Sequence, residues 1–374
     1  MPDFLTKVVG MFDQEPDLKK MGFLSTFFRT TPDSFTDAEY AEYDILRSGA
    51  EISPVVRNLN TGAVTLVGEE FSTKGISFPV YALEMPAQIQ TLMQRQPGET
   101  AYVTAKINWL GRLSKVLVRG FARMTNMIRR SIELQAAQIL QTGTVTLTDE
   151  DGKAAYELNF KPKATHFPVV AKSWSDATAD PLKDLGELAL ILQTDGLVDI
   201  TTVIMGRSAW NNFIKNAWVQ AHLNKEVMAL GALNPQLKDK GAKYLGYIDF
   251  DAYRFEFWMY NATYEPFGSQ EPVPYLDPDK VLLLPDTESL DFQRFFGGIP
   301  SVLPDETFDQ IFGAKITIGN EYDFRPRVYA DTHRETWIGE IKSRPLLVPK
   351  SIDRWGCLMT VAAQSGGGAT GGGQ

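Results

Sequence analysis

The first fifty residues constrain this chain most, because they are too apolar to remain in water and too broken to fold by themselves. Phe4, Leu5, Val8, Val9, Met11 and Phe12 come early, and Phe23, Leu24, Phe27 and Phe28 follow, interrupted by Pro16, Pro32 and acidic residues. The prolines forbid one continuous helix. Apolar clusters on such a segment need a covering surface. Two readings are open: the segment packs on the chain's own domain, or residues 1–50 form an arm that buries Phe23, Phe27 and Phe28 against another subunit.

Residues 51–95 read as an extended β-hairpin. Ile52, Val55 and Val56 lead to a turn at Asn58 to Gly62, Ala63 to Val67 alternate, and a polar tip from Gly68 to Gly75 precedes Ile76 to Leu83. Limbs of about fifteen residues would reach about 50 Å at about 3.3 Å per residue. A lone two-stranded hairpin is marginal in water, so this one must lie on its own domain or on a neighbour. Leu66 and Phe78 are the side chains expected at that contact, while Lys74, Pro79 and Pro86 suit an exposed edge.

The period then changes. Leu117, Phe121, Met124, Ile128, Ile132, Gln135 and Ile139 recur three or four apart, which predicts an amphipathic helix over 115–141 ending before Gly143. Arg119, Arg123, Arg129 and Arg130 fall on its other faces. They read as a solvated or intersubunit face rather than a phosphate site, with Arg123 and Arg130 as candidate contacts. A hairpin follows, Thr144 to Thr148 with Ala155 to Phe160; its acidic turn lacks the carboxylate ladder of a calcium loop.

Beyond residue 180 helices and strands alternate. Asp180-Pro181 opens a helix to Leu192, Leu197 to Met205 reads as a buried strand, Ser208 to Leu223 as a helix, and Tyr244–Phe250 with Tyr253–Tyr260 as paired strands. Val281 to Leu284, Lys315 to Gly319, Pro326 to Tyr329, Thr336 to Ile341 and Trp355 to Ala362 are further strands, and 365–374 is a glycine-rich tail. The fold class is α+β. The expected division is 1–50, 51–95, a domain from 96–180 and 315–364 around the long helix, an inserted domain at 181–314, and the tail.

Several functions find no support. The formal charge of −9 and pI near 5.1 argue against a dedicated nucleic-acid-binding module, which needs a Lys/Arg excess. One cysteine, Cys357, precludes an internal disulfide and suits a reducing cytoplasm. The N-terminus lacks the pattern of a signal peptide, and no apolar run approaches the roughly 20 residues that span a bilayer. His166, His222 and His333 have no zinc-like spacing. Gly206-Arg207-Ser208-Ala209-Trp210 sits between strand and helix like a nucleophile elbow but lacks its second glycine. No dinucleotide or P-loop fingerprint occurs. The expectation is a non-catalytic, self-assembling structural protein with no cofactor and no metal.

Phe23 to Arg29 with Phe35-Thr36, Ile52 to Val56, Leu197 to Ile200 leading to Gly206 and Trp210, Tyr275 to Leu284, and Ser343 to Pro349 follow one another along nearly the whole chain. In that order these stretches resemble the lambda-type capsid protein E family of tailed-bacteriophage major capsid proteins. The resemblance implies the Hong Kong 97-type fold: N-terminal arm, extended hairpin (E-loop), peripheral domain with a spine helix, and inserted axial domain. It further implies an icosahedral virion shell of pentamers and hexamers, assembled in the host bacterial cytoplasm with scaffolding and portal proteins and in many members a decoration protein. The shell would enclose double-stranded DNA without reading its sequence and without touching a membrane. If its inner surface shared the chain's overall charge, counter-ions would have to neutralise the genome. Alternatives are a bacterial encapsulating shell of the same fold, a ring-forming tail or adaptor protein, and a soluble enzyme with an α/β domain at 181–314.

Overall fold

The apolar stripe winds into one helix, α1 (Trp109–Thr142), in the computed structural model of the chain. The structure describes residues 22–36, 40–46, 71–88, 109–149, 151–222, 241–250, 252–303, 315–319, 324–331 and 336–363. With 34 residues α1 is about 50 Å long at about 1.5 Å per residue. All seven stripe residues, from Leu117 to Ile139, are buried.

Ahead of α1 run β1 (Phe35–Thr36), β2 (Tyr40–Leu46), β3 (Phe71–Ser77) and β4 (Tyr81–Gln88), and behind it come β5 (Thr144–Thr148) and β6 (Ala154–Asn159). Then follow α2 (Pro181–Gly196), β7 (Ile200–Met205), α3 (Arg207–Lys215), α4 (Ala217–His222), β8 (Ala242–Phe250), β9 (Tyr253–Tyr260), β10 (Thr263–Tyr264), β11 (Val273–Pro274) and β12 (Lys280–Pro285). The last part holds β13 (Phe292–Gly297), β14 (Ile299–Leu303), β15 (Lys315–Gly319), β16 (Arg325–Asp331), β17 (Thr336–Ser343), β18 (Pro345–Pro349) and β19 (Gly356–Met359).

A five-stranded sheet, ordered β19-β12-β7-β9-β8, forms a wall between two cores. Successive side chains of a strand point to opposite faces. Ile204, Leu282, Leu284 and Cys357 therefore enter the core built on α1, while Val203, Met205, Val281, Leu283 and Leu358 enter the core built on α2 and α3. Burial on both faces explains why Val203–Met205 of β7 and Val281–Leu284 of β12 read as unbroken apolar runs. The closing strand β19 pairs with β12, so Gly356–Met359 return to the sheet of residues 200–285.

The long helix also lies on the antiparallel sheet β16-β17-β4, where Leu117 and Phe121 pack beside Gly339. Gly120, a poor helix former, sits where Met85 of β4 crosses: a side chain there would collide with the methionine thioether. Tyr81, Gln135 and the β5–β6 hairpin fix the distal half. The Gln135 amide donates to the Tyr81 hydroxyl at 2.8 Å, and Gln138 exchanges two hydrogen bonds with Thr146.

Some expectations require correction. The hairpin pairs β3 with β2, Tyr40 opposite Ser77 and Leu46 opposite Phe71, so its outer limb comes from the segment assigned to the arm. Residues 71–75, read as the tip, are strand, and β4 pairs instead with β17. Leu66 and the limbs expected at 52–67 lie outside the described residues, as do the tail 365–374 and residues 1–21. The helix expected from Ser208 to Leu223 is broken at Asn216, whose extended backbone is held by its own side chain, donating to Ala179 O and accepting from Trp218 N. The strand expected at 355–362 is the shorter β19. The opening of α2 agrees: Asp180 accepts from Lys183 N, with Pro181 in the first turn.

Candidate functional site

The aromatic motif at the start of the described chain forms a single 3-10 turn, Leu24–Phe27, seated on α1. Its leading amides would be orphaned in an apolar setting. Glu133 of α1 supplies the acceptors. Leu24 N donates to Oε1 at 2.7 Å and Ser25 N to Oε2 at 2.9 Å, and the Tyr260 hydroxyl of β9 donates to Oε1 at 2.6 Å. Glu133 is 3% exposed, so these bonds satisfy a buried polar group. Gly22 makes the approach possible, because a side chain there would overlap the carboxylate.

The turn's other end is held as firmly. Arg294 of β13, itself buried, donates to Ser25 O at 2.6 Å. Arg29 N donates to Phe292 O, Arg294 N donates to Arg29 O, and β1 continues the run by pairing parallel with β13. Phe23 lies 5.4 Å from the Trp258 ring and 5.7 Å from Tyr260, and Phe28 stacks on Phe292 at 5.1 Å. Phe23, Phe27 and Phe28 thus fill the chain's own core, and residues 22–36 are sewn to their own subunit. Phe78 is buried likewise, over Gly297 and under the Arg344 guanidinium.

The cations of α1 divide. Arg123 and Arg130 are exposed, as are Lys115 and Arg119. Arg129 is not on that face: it is 8% exposed and lies 5.7 Å from the Phe324 ring, which corrects its grouping with the solvated arginines. From Ile132 onward the helix is covered on nearly every side by the arm turn, the β5–β6 hairpin and residues 275–277, so the exposed ridge ends where Glu133 begins its contacts.

Sequence reasoning missed Glu133 and Arg294. The available signal for Glu133 was its being the one carboxylate of α1, set among Ile132, Ala136 and Ala137 where a solvated acid would be out of place. A second polar cluster ties the turn Ala164–His166 to the end of α2: buried His166 Nε2 lies 2.9 Å from Asp195, and Lys163 lies 3.0 Å from it. The hydrogen bond with His166, aided by Lys163, holds the Asp195 carboxyl below the usual carboxylate range. Cys357 is buried, and burial pushes its thiol up to about 12, so it has no nucleophilic character at neutral pH. Gly206 opens α3 rather than an elbow: its N–H donates to Lys280 O and that of Ala209 to Pro278 O. Among the described residues no group of three or more His, Cys, Asp or Glu could hold a metal, and no helix is long and apolar enough to cross a membrane.

The family described as phage major capsid protein E matches residues 21–355. A structure assigned as a prophage capsid protein of E. coli CFT073 aligns with a TM-score of 0.63 at 14% identity, over 96% of this chain and 99% of that one. A phage-related protein of Bordetella bronchiseptica RB50 aligns with a TM-score of 0.48 at 12% identity, over 96% and 97%. The capsid of Ralstonia phage GP4 aligns with a TM-score of 0.47 at 14% identity, over 92% and 88%. At such identities the first of these speaks to the fold, an α+β architecture shared with capsid proteins. No curated protein matches the chain.

Proposed function

We propose, on the premise that this chain belongs to the phage major capsid protein E family, how its parts divide the labour of building a shell. Members of this family are structural: many copies of the chain assemble into the capsid of a phage virion. The observation that carries the role is the match itself, which runs through nearly every described element from the arm turn to Trp355.

In our reading α1, the sheet β16-β17-β4 and residues 22–36 form the rigid peripheral body, and α2 to β12 form the axial part that meets its symmetry mates. The β2–β3 ribbon reaches toward a neighbour. What supports this is that β2 and β3 pair only with each other among the described residues, and a two-stranded ribbon is marginal without a further surface. Contacts of that kind are individually weak, which lets a misplaced subunit leave a growing shell. Phe23, Phe27, Phe28 and Phe78 act in this scheme by fixing residues 22–36 and the end of the ribbon at Ser77 to the body, since their rings are buried at home. Assembly in the host cytoplasm with a scaffolding protein and a portal, addition of a decoration protein, enclosure of double-stranded DNA and absence of catalysis belong to the same reading. The family match to phage capsids favours it over an encapsulating shell or a soluble enzyme.

The test is particle size. Purified chain, alone and with a co-expressed scaffold, is followed by sedimentation and electron microscopy, and closed shells are expected. Flat rings would support a tail protein. A monomer that persists and turns over a substrate would overturn the shell.

A further inference from the structure

Helix α1 carries six cations and one carboxylate, a net +5 within a chain whose formal total is −9. The single carboxylate, Glu133, is buried and committed to the arm. Lys115, Arg119, Arg123 and Arg130 are exposed. At about 100° per residue they fall within an arc of about 80°, forming one ridge about 22 Å long. None of the four makes an ion pair among the described residues.

A helix face kept merely soluble normally interleaves acids and bases at i,i+4, where unlike charges stabilise and like charges destabilise. Here Lys115, Arg119 and Arg123 succeed one another at that spacing, so the ridge opposes its own helix and finds no compensating ion pair among the described residues. The opposite side of the same body differs. On the outward face of β16-β17-β4, Glu340 pairs with Lys342 at 2.6 Å and with Arg327 at 3.9 Å, and Glu84 lies across from Glu340. Among the described residues one face is cationic and without ion pairs, the other mixed and neutralised.

Resting on the shell reading, we propose that this ridge is the surface by which the subunit meets the phosphate backbone of the enclosed double-stranded DNA, which puts α1 on the lumen side and β16-β17-β4 on the outside. Charge complementarity selects the occupant. Over its length the ridge runs beside roughly a dozen phosphates of a duplex carrying one charge per about 1.7 Å of axis. Three of its four cations are arginines, which suit phosphate geometry. A protein partner would require an apolar anchor as well, and no described side chain of α1 is a large exposed hydrophobic. Cations without an anchor make a contact blind to sequence and sensitive to salt. The acidic total of the chain therefore does not describe its inner wall, and part of the genome's neutralisation falls to α1.

The experiment measures anisotropy of a short labelled duplex of random sequence against the full-length chain at increasing salt. Four cations predict a log–log slope of about −3 to −4, at about −0.9 per phosphate neutralised. Arg119→Gln, Arg123→Gln and Arg130→Gln together should make it shallower by about 2.7, whereas Arg327→Gln with Lys342→Gln on the sheet face should leave it unchanged. No binding by the parent chain, or a slope the triple variant does not alter, overturns the proposal. So does loss of binding to labelled polyglutamate with duplex binding intact, which would assign the ridge to an acidic protein. Amine labelling of Lys115 in parent particles, filled and emptied, gives a readout that does not depend on any variant folding: protection by DNA is expected, and equal labelling overturns the ridge. Electron microscopy of the same preparations judges the shell separately, since intact shells with an unmoved slope sink the ridge alone and absent shells sink the shell.

Discussion

The phenol of Tyr260 on β9 donates to the carboxylate of Glu133 on α1 at 2.6 Å, across 127 residues of sequence. Both oxygens of that carboxylate also hold backbone amides of the arm turn. One acid thus joins the long helix, the five-stranded sheet and the segment that leads out to the N-terminus. Burial, reinforced by the neighbouring carboxylate, pushes the Tyr260 phenol far above its ordinary value, so it stays protonated as a donor through the physiological range.

Glu133→Ala removes the acceptor for three buried donors at once. Each buried group left without a partner costs about 1–3 kcal/mol, so the unassembled subunit should lose roughly 3 kcal/mol or more in denaturant unfolding. Proteolysis within residues 22–30 should accelerate, because the turn is no longer clasped. A parent-like midpoint together with parent-like protease resistance would show that the clasp carries no stability.

Tyr260→Phe tests the same link from the other side. The ring keeps its packing on Phe23, and Glu133 keeps both arm amides, so the loss should be smaller, about 1–2 kcal/mol. Combined with Glu133→Gln it should show a coupling of about 1 kcal/mol in a double-mutant cycle. Strict additivity would mean that the two groups do not share a bond.

The long helix was legible because seven side chains from Leu117 to Ile139 obey one period, and a stripe that long has a single interpretation. The tie of Gln141 to Tyr275 and Asp277 at its far end was not, since nothing local pairs a helix glutamine with a loop 134 residues away. The hairpin shows the same limit: alternation finds strands, but the partner of Phe71–Ser77 is Tyr40–Leu46, across a long connection. Arg129 and Arg130 are neighbours of identical chemistry, and only the approach of Phe324 decides which one is buried. The capsid-like order of elements was readable from sequence. The clasp that anchors the arm was invisible, because it consists of backbone amides meeting one acid.

Phe78 was expected to matter chiefly at a contact with a neighbour. Its ring is 4% exposed, in a seat made by Gly297 and Arg344 of its own chain. Phe78→Ala should therefore destabilise the isolated subunit by about 3–4 kcal/mol, the usual loss for a buried phenylalanine. A subunit that unfolds like the parent yet fails to form shells would return Phe78 to an intersubunit role.

Cys357 gives a probe of global opening. Its side chain lies on β19 inside the α1 core, facing Leu282 of β12 in the pairing register. Burial raises its thiol to about 12, whereas in the unfolded chain it ionises near the ordinary value of about 8.5. Between those values the unfolded state releases a proton that the folded state retains, so folding stability falls as pH rises through that window and the contribution is complete below it. Cys357→Ala should flatten this alkaline decline. The thiolate is the reactive form, so a thiol reagent at neutral pH should label native protein only at the rate of opening of the β12–β19 pair. Adding denaturant should raise that rate in step with unfolding. Rapid labelling of the folded subunit would mean that β19 leaves the sheet on its own, and the closing strand would then be a detachable edge rather than part of the wall between the two cores.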